Sequence, residues 1–583
     1  MRQCEEHVFE TVDGTSIFYR HWPATYGDQD RAIILLHRGH EHSGRLQHLI
    51  DELDLPGFAM FAWDARGHGR SPGRRGCAPS VGTLVKDLDS FVREVVVPQG
   101  IRVENVGIVG QSVGSVLAAA WVHDYAPKIR CMILAAPAFK IKLYVPFARP
   151  ALAILHKVFG DFTVQSYVKA NYLSHDRARI EGFRRDPLIT RAISVKVLLD
   201  LDSTSARVVK DGQAIHTPTQ LLISGSDFVV RKKPQLDFFN RLGSSIKESH
   251  ELKGFYHDTL GEKDRYLAIN KAREFILRIF SRPCDYPSLL DADRKGTTRE
   301  EFERLCRPLR PISADAVMFT AIKAGLRTGG RLSDGIRVGL ETGFDSGATL
   351  DYIYRNRASG ITPLGKLIDW FYINSIGWRG IRIRKQHLER ILARTIAELK
   401  TSGMPVRIVD IAAGHGRYVL DSVNGCSACV DRILLRDFSA DNVKSGSALI
   451  AERGMEHMAS FERGDAFDRE SVGAIEPCPT IGVVSGLYEL FAENCTVRKS
   501  LSGLADAIHP GGFIIYTGQP WHPQLEFIAR TLTSHRGHQP WIMRRRTQAE
   551  LDQLVEAAGF QKIDQLTDDW GIFTVSIARR VAA

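Results

Sequence analysis

The stretch VGIVGQSVGSVLAAAWV, residues 106–122, decides the fold of the first half of the chain. It places the pentapeptide GQSVG, residues 110–114, between an apolar run of strand length and a run of small residues typical of a buried helix. The two glycines allow a sharp turn from strand to helix, and the serine between them is then held on a strained backbone. This context predicts that Ser112 is a nucleophile.

Short apolar runs on both sides of this stretch predict an α/β fold. They are RAIILLH at 31–37, GFAMFAWD at 57–64 and IRCMILAAP at 129–137, and stretches of helix length separate them. Runs without alternation suit strands that are buried on both faces of a parallel sheet. Before them, VFETVDGTSIFYR at 8–20 alternates around an Asp-Gly turn and predicts a hairpin.

A nucleophilic serine needs a histidine base and a carboxylate, which follow it in that order in this type of fold. The strand TPTQLLISGSD ends in Asp227, and the later segment GFYHDTLGE contains His257. Asp258 is a competing carboxylate, but a sequence neighbour of His257 is expected to point away from its ring. We therefore predict the triad Ser112, Asp227 and His257.

Acyl transfer also needs donors for the oxyanion. The expected donors are the backbone amides of Val113 and of Gly39, which lies in the loop HRGHEHSGR at 37–45. The histidines of this loop could instead bind a metal, but the serine motif downstream disfavours that interpretation. Cys426 and Cys429 form a C-x-x-C without the second pair that a four-thiolate zinc site needs. No metal site is predicted.

The loop at 37–45, DARGHGRSPG at 64–73, GQSVG, GSD and GFYHD together resemble the monoacylglycerol lipase, lysophospholipase and serine aminopeptidase group of α/β-hydrolases. The resemblance covers residues 1–283 and implies a cap, which we place at about 138–216. It also implies a lipid-like ester as substrate, with an esterase or aminopeptidase acting on non-lipid substrates as the alternative.

The first part of the expected cap, residues 138–160, is apolar and carries basic but no acidic residues. This composition favours a helix that covers the active site. The alternative is a segment that contacts an anionic membrane surface, so that the protein binds a membrane peripherally.

The chain turns polar at 284–310, which predicts a linker in which Thr298 and Glu301 fit a capping box. Residues 311–402 are predicted to form a helical entry region able to cover a substrate, and a second α/β domain follows at 403–583. There the strand VRIVDI meets the loop AAGHGRY. A glycine turn after a strand is how a nucleotide-like cofactor is approached by backbone.

The beginning of this second α/β domain resembles class I S-adenosylmethionine-dependent methyltransferases, which have a Rossmann-like fold. Asp410, Gly414 and Gly416 match the motif D-x-G-x-G-x-G, with Ala412 in place of its first glycine. The resemblance implies S-adenosyl-L-methionine as cofactor. It also implies that Asp437, at the end of the next strand, binds ribose and that Asp465 lies near adenine.

The methyl acceptor is less well indicated, because methyl transfer mostly needs alignment of donor and acceptor. The loop after the fourth strand lacks an N-P-P-Y sequence, and its Tyr488 and Glu489 are the candidates for the acceptor side. Trp521 and His522 could shape that site. The run Arg544–Arg546 is expected to be a solvated face.

The bulk properties agree with two fused enzymes. The 583 residues exceed the size of one hydrophobic core. The net charge of +10 is modest, and no nucleic-acid-binding module accompanies it. We expect no export signal, no membrane span, reduced cysteines and a cytoplasmic location. The alternative is that one half is a non-catalytic binding or regulatory module.

Overall fold

The computed structural model describes residues 2–27, 29–423 and 429–581. Cys426, and with it half of the C-x-x-C pair, lies outside these residues. The chain divides into two compact units, residues 1–287 and 288–583. Each unit contains one large, mostly parallel sheet.

The sheet of the first unit has the strand order β1-β2-β4-β3-β5-β6-β9-β10. The first two strands form the predicted hairpin, and from β4 onward all neighbours are parallel. Every residue of β3, β4, β5 and β6 is buried, as the unalternating apolar runs predicted. The strands are β1 Glu5–Glu10, β2 Ser16–Trp22, β3 Ala32–Leu36, β4 Ala59–Trp63, β5 Val106–Gln111, β6 Cys131–Ala135, β9 Thr219–Ser224 and β10 Lys247–Leu252.

Helices cover the sheet, and the segment between β6 and β9 forms a separate group of elements where the cap was expected. The helices of the main body are α1 Gln47–Leu53, α2 Val81–Phe91, α3 Val113–Tyr125, α7 Lys232–Arg241 and α8 Tyr266–Phe280. The cap contains α4 Ala148–Phe159, α5 Arg177–Arg185 and α6 Val195–Lys210, with the antiparallel pair β7 Thr163–Gln165 and β8 Ala192–Ser194.

The sheet of the second unit has the strand order β13-β12-β11-β14-β15-β17-β16, in which only the pairs that involve β17 are antiparallel. This is a Rossmann-like arrangement that reverses direction beside β11, where the glycine loop begins. The strands are β11 Arg407–Asp410, β12 Arg432–Asp437, β13 Ala459–Arg463, β14 Ile481–Val484, β15 Phe513–Gly518, β16 Phe560–Thr567 and β17 Thr574–Arg580.

The helical entry region consists of five helices that lead into β11. They are α10 Ala314–Gly329, α11 Asp334–Thr342, α12 Gly347–Arg355, α13 Pro363–Ile373 and α14 Ile376–Thr401. The other helices of this unit are α9 Thr297–Cys306, α15 Arg417–Ser422, α16 Ala440–Glu452, α17 Arg469–Gly473, α18 Asn494–Ala507, α19 Leu525–Thr531 and α20 Gln548–Ala557.

The polar stretch at 284–310 is not a free linker, because the second unit begins at residue 288. Asp293 is 4% exposed, and one of its carboxylate oxygens accepts a hydrogen bond from the amide of Asn494. The predicted capping box is also wrong. The N-cap of α9 is Gly296, and Thr298 instead accepts a hydrogen bond from Arg544.

The arginines at 544–546 are buried, which contradicts the expected solvated face. Arg544 donates to Glu550 at 2.8 Å, and Arg546 donates to the carbonyl oxygen of Tyr488 at 2.6 Å. Arg545 donates to the carbonyl oxygen of Pro520 at 2.7 Å. The three arginines donate hydrogen bonds to loop carbonyl oxygens and to a buried acid of the same unit. The charged run is therefore buried in the core of the unit and does not face solvent.

None of the helices in the described part of the chain combines the length and the apolar character that a membrane crossing requires.

Candidate functional site

The GQSVG segment forms a tight turn between β5 and α3. Ser112 has φ +55° and ψ −112°, a conformation that is strained for a residue with a side chain. A Cβ atom at Gly110 would lie 2.7 Å from the backbone of Gly114, and one at Gly114 would lie 2.5 Å from the carbonyl oxygen of Leu36. Both glycines are therefore required by close backbone approach.

The structure brings Ser112, His257 and Asp227 together in one hydrogen-bonded chain. The Nε2 atom of His257 lies 2.8 Å from Ser112 Oγ, and its Nδ1 atom lies 2.8 Å from Asp227 Oδ2. The other oxygen of Asp227 accepts hydrogen bonds from the amides of Val229 and Val230. Burial opposes ionisation of this carboxyl, but His257 and the two amides hold the pKa of Asp227 below its ordinary value. The arrangement can act as nucleophile, base and orienting carboxylate.

Asp258 takes no part in this chain, as its position next to His257 predicted. Its carboxylate accepts hydrogen bonds from Gln111 at 2.9 Å and from Arg179 at 3.0 Å. Burial opposes ionisation, but Arg179 and Arg38 hold the pKa of Asp258 far below its usual range. Asp258 is thus a buried counter-charge that connects the serine loop to the cap.

Gly39 and Val113 lie next to each other, as the two oxyanion donors must. A Cβ atom at Gly39 would be 3.2 Å from the Cγ2 atom of Val113. Neither amide donates a hydrogen bond to another residue in the described part of the chain. The side chain of Arg38, which precedes Gly39, donates to Glu41 at 2.7 Å. The backbone donors near Ser112 are therefore available to a ligand.

The histidines of the loop at 37–45 do not converge on a common point. His37 accepts a hydrogen bond from the amide of Ala65 and contacts its neighbour's carbonyl oxygen through Nδ1. His42 contacts Asp186 at 2.9 Å, and burial lowers the pKa of His40 to about 4. Among the described residues, the one cluster with metal-ligand spacing is Glu5, His7 and His21 at the edge of the sheet. The loop histidines have structural contacts.

In the second unit, a cavity of about 950 Å³ lies at the carboxyl end of β11. Gly414 and Gly416 line it with φ values of +58° and +72°, which glycine tolerates without strain. A Cβ atom at Gly416 would lie 2.3 Å from Leu435 Cδ1. The turn thus presents backbone to the cavity, as a nucleotide-like cofactor requires. We call this cavity the cofactor cleft.

Asp437 and Asp465 also line the cofactor cleft. Asp437 already accepts hydrogen bonds from the amide of Gly414, the amide of Ser439 and the side chain of Asn442. By the ordinary count of about four acceptor positions on a carboxylate, one position remains for a ligand hydroxyl. Asp465 is exposed, and one of its oxygens accepts from the amide of Phe467.

Asp410 differs from the expectation, because it lies behind the glycine turn and does not line the cleft. Its carboxyl accepts hydrogen bonds from the amide of Ala412 and from the hydroxyl of Tyr418. Burial raises the pKa of Asp410 to about 7, more than these hydrogen bonds lower it. Its contacts are therefore with the glycine turn and the helix that follows it, not with the cleft.

Of the two acceptor-side candidates, the structure places Glu489 in the wall of a cavity and Tyr488 in the core. The hydroxyl of Tyr488 points into the core, 3.1 Å from Ser500 Oγ, and Tyr488 lines neither the cofactor cleft nor the cavity beside it. Glu489 lines that second cavity, and burial raises the pKa of its carboxyl although Arg384 opposes the shift. His522 lines it too.

The sequence interpretation missed the residues that the helical entry region supplies. Asp351, Tyr354 and Arg384 line the cofactor cleft from α12 and α14. One signal was available for Arg384: it lies three residues after Ile381 and four before Leu388, on the buried stripe of α14. A lone charge on an apolar helix face indicates a buried functional or structural contact.

Comparison with known proteins agrees with the two units. Residues 27–264 match the family described as serine aminopeptidase, S33, and residues 272–580 match the family described as "Putative methyltransferase". The monoacylglycerol lipase of Mycolicibacterium smegmatis is 24% identical over 282 residues, which cover 47% of this chain and 96% of that protein.

Two further matches cover different shares of the chain. The crystal structure of the Paleococcus ferrophilus monoacylglycerol lipase matches 48% of this chain and 99% of that one, with 24% identity and a TM-score of 0.40. The uncharacterized protein YnbC of Escherichia coli K12 is 53% identical over 575 residues, which cover 99% of this chain and 98% of that protein. The chain therefore belongs to the same family as YnbC, and it joins a unit that matches the S33 family of α/β-hydrolases to a unit that matches the putative methyltransferase family.

Proposed function

We propose that this protein is a bifunctional enzyme, a serine hydrolase of carboxylic esters joined to an S-adenosylmethionine-dependent methyltransferase. The hydrolase assignment is carried by the hydrogen-bonded chain Asp227–His257–Ser112, whose two links are each 2.8 Å. His257 accepts the proton of Ser112 as Oγ attacks the ester carbonyl, and Asp227 orients the imidazole ring. The amides of Gly39 and Val113 then stabilise the oxyanion.

A fluorophosphonate probe tests the hydrolase half. The native protein should be labelled covalently at Ser112, and the variants Ser112→Ala and His257→Ala should not be labelled. Ser115, a serine of α3 that donates to the carbonyl oxygen of Gly110, provides the control. Labelling should survive Ser115→Ala. Equal labelling of native protein and Ser112→Ala would remove the assignment.

A lipid-like ester is the proposed substrate of this half. The cap exposes large apolar side chains along α4 and just before it, with exposures of 84% for Phe147, 64% for Ile154 and 73% for Phe159. Arg149 and Lys157 belong to the same helix. Contiguous exposed apolar patches are uncommon on monomers and often mark contact with lipid or protein. Several relatives are monoacylglycerol or monoglyceride lipases.

Membrane contact through this helix can be measured by sedimentation with vesicles. Binding should be stronger to vesicles that contain phosphatidylglycerol than to phosphatidylcholine alone, because Arg149 and Lys157 are cationic. Phe147→Ser should weaken binding to both. Equal recovery of native protein and this variant in the pellet would contradict a lipid-facing cap.

The family description as a serine aminopeptidase favours a second substrate class, an aminoacyl amide. The two classes separate in one assay. Initial rates on p-nitrophenyl esters of increasing chain length are compared with rates on aminoacyl p-nitroanilides. Higher kcat/KM on acyl chains of eight or more carbons supports the lipase-like assignment, and higher kcat/KM on the anilides supports the aminopeptidase.

The methyltransferase assignment is supported by the cofactor cleft. The turn at Gly414 and Gly416 presents backbone, and Asp437 retains an acceptor position that a ribose hydroxyl can use. Asp465 lines the same cleft, and we assign it to the adenine. The volume of about 950 Å³ lies within the range of small-molecule sites. S-adenosylmethionine, when bound there, supplies an electrophilic methyl group. The chain's own part is to align that group with an acceptor.

Titration calorimetry with S-adenosylmethionine and S-adenosylhomocysteine tests this half. Native protein should bind both ligands, and Asp437→Ala should weaken binding of each at least tenfold. The substitution removes the acceptor for the ribose hydroxyl and also the hydrogen bond that the amide of Gly414 donates to Asp437. Glu452→Ala, an exposed change at the end of α16, is the control. Absence of binding at millimolar ligand would make the second unit a non-catalytic module.

A further inference from the structure

A second cavity, of about 340 Å³, lies beside the cofactor cleft. The two cavities share five lining residues, which are Asp345, Leu350, Arg384, Gly486 and Leu490. The rest of the wall is mostly aliphatic and aromatic, and includes Phe371, Trp378, Phe527, Trp541 and Phe573. A ligand held in this second cavity would therefore have its apolar part surrounded and one end at the cofactor cleft.

Arg384 lies where the two cavities meet, and its guanidinium has the ring of Phe573 at 5.3 Å and an acid nearby but no hydrogen bond among the described residues. It is 3% exposed, its Nε atom has no hydrogen-bond partner, and the structure gives its guanidinium no hydrogen bond to any residue in the described ranges. The nearest carboxylate oxygen belongs to Glu489, at 3.8 Å from Nη1. A buried cation without hydrogen bonds is costly to maintain. Such a group is expected to bind an anion.

Two neutral donors in the same wall also have no partner. Gln519 is 4% exposed, and neither its Nε2 atom nor the buried Nε1 atom of Trp541 has a hydrogen-bond partner in the described part of the structure. Both residues line the second cavity together with Arg384. The buried hydroxyl of Tyr372, in the same wall, also has no hydrogen-bond partner in the described part of the chain. Each of these unsatisfied groups can donate a hydrogen bond, and one belongs to a cation. They fit a ligand head that offers only acceptors and carries a negative charge.

We propose that the second cavity binds the methyl acceptor, and that this acceptor is an apolar carboxylic acid. The proposal rests on the proposed methyltransferase function. At roughly 30 Å³ for a water-sized group, the cavity holds on the order of eleven non-hydrogen atoms. That size corresponds to an acid of medium chain length or to an aromatic acid with a short side chain. Arg384 binds the carboxylate at the cofactor end, Gln519 supplies a further donor from the wall of the same cavity, and the aromatic wall surrounds the chain.

The proposed step needs no base. A carboxylate oxygen forms a bond to the methyl carbon while the carbon–sulfur bond breaks, and its electron pair stays on sulfur. The products are a methyl ester and S-adenosylhomocysteine, and no proton moves. An alcohol or ammonium acceptor would have to lose a proton. Burial lowers the pKa of His522 to about 4, which makes this cavity histidine a weak base. Ester hydrolysis at Ser112 would release the same class of molecule, a carboxylic acid.

The test compares three probes of equal chain length, namely decanoate, 1-decanol and decylamine. Each is titrated into the full-length protein saturated with S-adenosylhomocysteine. Decanoate should bind at least tenfold more tightly than the other two. Gln519→Leu, which keeps the size of the side chain, and Arg384→Met should each weaken decanoate binding at least tenfold. Failure of decanoate to bind, or equal binding of decylamine, would overturn the proposal.

A pair of larger substitutions checks that the ligand occupies this cavity. Ile528→Trp adds bulk to the cavity wall and should abolish decanoate binding. Leu367→Trp is the matched control on the exposed side of α13, where Leu367 is 51% exposed, and should bind decanoate like the native protein. Equal binding by both variants would place the ligand elsewhere and overturn the proposal. Folding of each variant is checked by its binding of S-adenosylhomocysteine.

Arg384 could instead bind the carboxylate of the cofactor's methionine part, and a further comparison separates the two sources. S-adenosylhomocysteine carries that carboxylate, and methylthioadenosine lacks it. If Arg384→Met weakens binding of the first but not of the second, Arg384 belongs to the cofactor and the assignment of the acceptor head is overturned. Unchanged binding of both, with decanoate binding lost, supports the acceptor site.

Product formation is measured separately from binding. The Ser112→Ala variant is incubated with S-adenosylmethionine and decanoate, so that the hydrolase half cannot cleave the product, and methyl decanoate is detected by mass spectrometry. If S-adenosylhomocysteine does not bind at all, the proposed methyltransferase function fails. If it binds and decanoate does not, only the present proposal fails.

Discussion

The substitution Asp410→Asn should stabilise the second unit, and the gain should grow with pH. The carboxyl of Asp410 is 0% exposed, and burial raises its pKa from 3.8 to about 7. In the unfolded chain the group ionises near its ordinary value. The folded state therefore binds a proton that the unfolded state has lost, and stability falls as the pH rises from about 4 to 7.

The size of the effect follows from the shift of about three pKa units, at about 1.4 kcal/mol for each unit. The raised pKa of Asp410 costs the folded state roughly 4 kcal/mol above pH 7 and about 1.5 kcal/mol at pH 5, where the folded group is still protonated. An asparagine carries no charge and keeps the local contacts. Its oxygen can accept from the amide of Ala412, and its amide can donate to the oxygen of Tyr418. The variant should gain stability most at pH 8.

Differential scanning calorimetry of the full-length protein at pH 5 and pH 8 measures this effect. The transition of the second unit is the one that S-adenosylhomocysteine shifts. Its Tm should rise in the variant by on the order of 5–10 °C at pH 8 and by clearly less at pH 5. Asp465→Asn, an exposed acid of the same unit, should change it little. A gain that is absent at pH 8, or equal at both pH values, would refute the reasoning.

Three further predictions concern other contacts. Asp227→Asn should lower kcat for p-nitrophenyl ester hydrolysis about 10⁴-fold without loss of fold. Asp258→Asn should instead lower the Tm of the first unit. If Asp258→Asn lost more kcat than Asp227→Asn, the catalytic carboxylate would be Asp258 and not Asp227. Gly416→Ala should weaken S-adenosylhomocysteine binding at least tenfold in calorimetry, because its Cβ atom would lie 2.3 Å from Leu435 Cδ1. Gly454→Ala is the control and should bind S-adenosylhomocysteine normally. Gly454 has a similar positive φ, but a Cβ atom there would have no other atom within 4 Å. Arg544→Met should destabilise the second unit by about 3 kcal/mol in urea unfolding, because it removes the nearer cation of buried Glu550, at 2.8 Å, and leaves only Arg546 at 3.9 Å. A change below 1 kcal/mol would show that Arg546 and the hydrogen bond from Asn494 are sufficient for Glu550.

Much of the first half was predictable, because its signals are local. Few backbone geometries are possible for a strand that is followed by two glycines and a serine within five positions. The observed conformation of Ser112 is the one that this motif requires. The acid and the histidine were predictable because each follows a strand end at the same edge of a parallel sheet. The choice of Asp227 over Asp258 likewise followed from chain geometry near His257.

The second half was predictable in its order of elements and less so in its site. The glycine turn lies where the motif predicted it, but Asp410 is behind the turn and Tyr488 points into the core. Burial of a strand-end side chain depends on which helices cover that end of the sheet. Those helices precede the strand by many residues and carry no motif.

The sequence by itself determined the two fold types, the nucleophile and the glycine turn of the cofactor cleft, because each depends on a few consecutive residues and on strand periodicity. Tertiary structure alone decided that Arg544, Arg545 and Arg546 are core residues and that Arg384 faces a cavity without a hydrogen bond. The physical reason is that the cost of a buried charge depends on distant groups. The sequence shows that a residue is charged, but only the folded structure shows which groups lie around that charge.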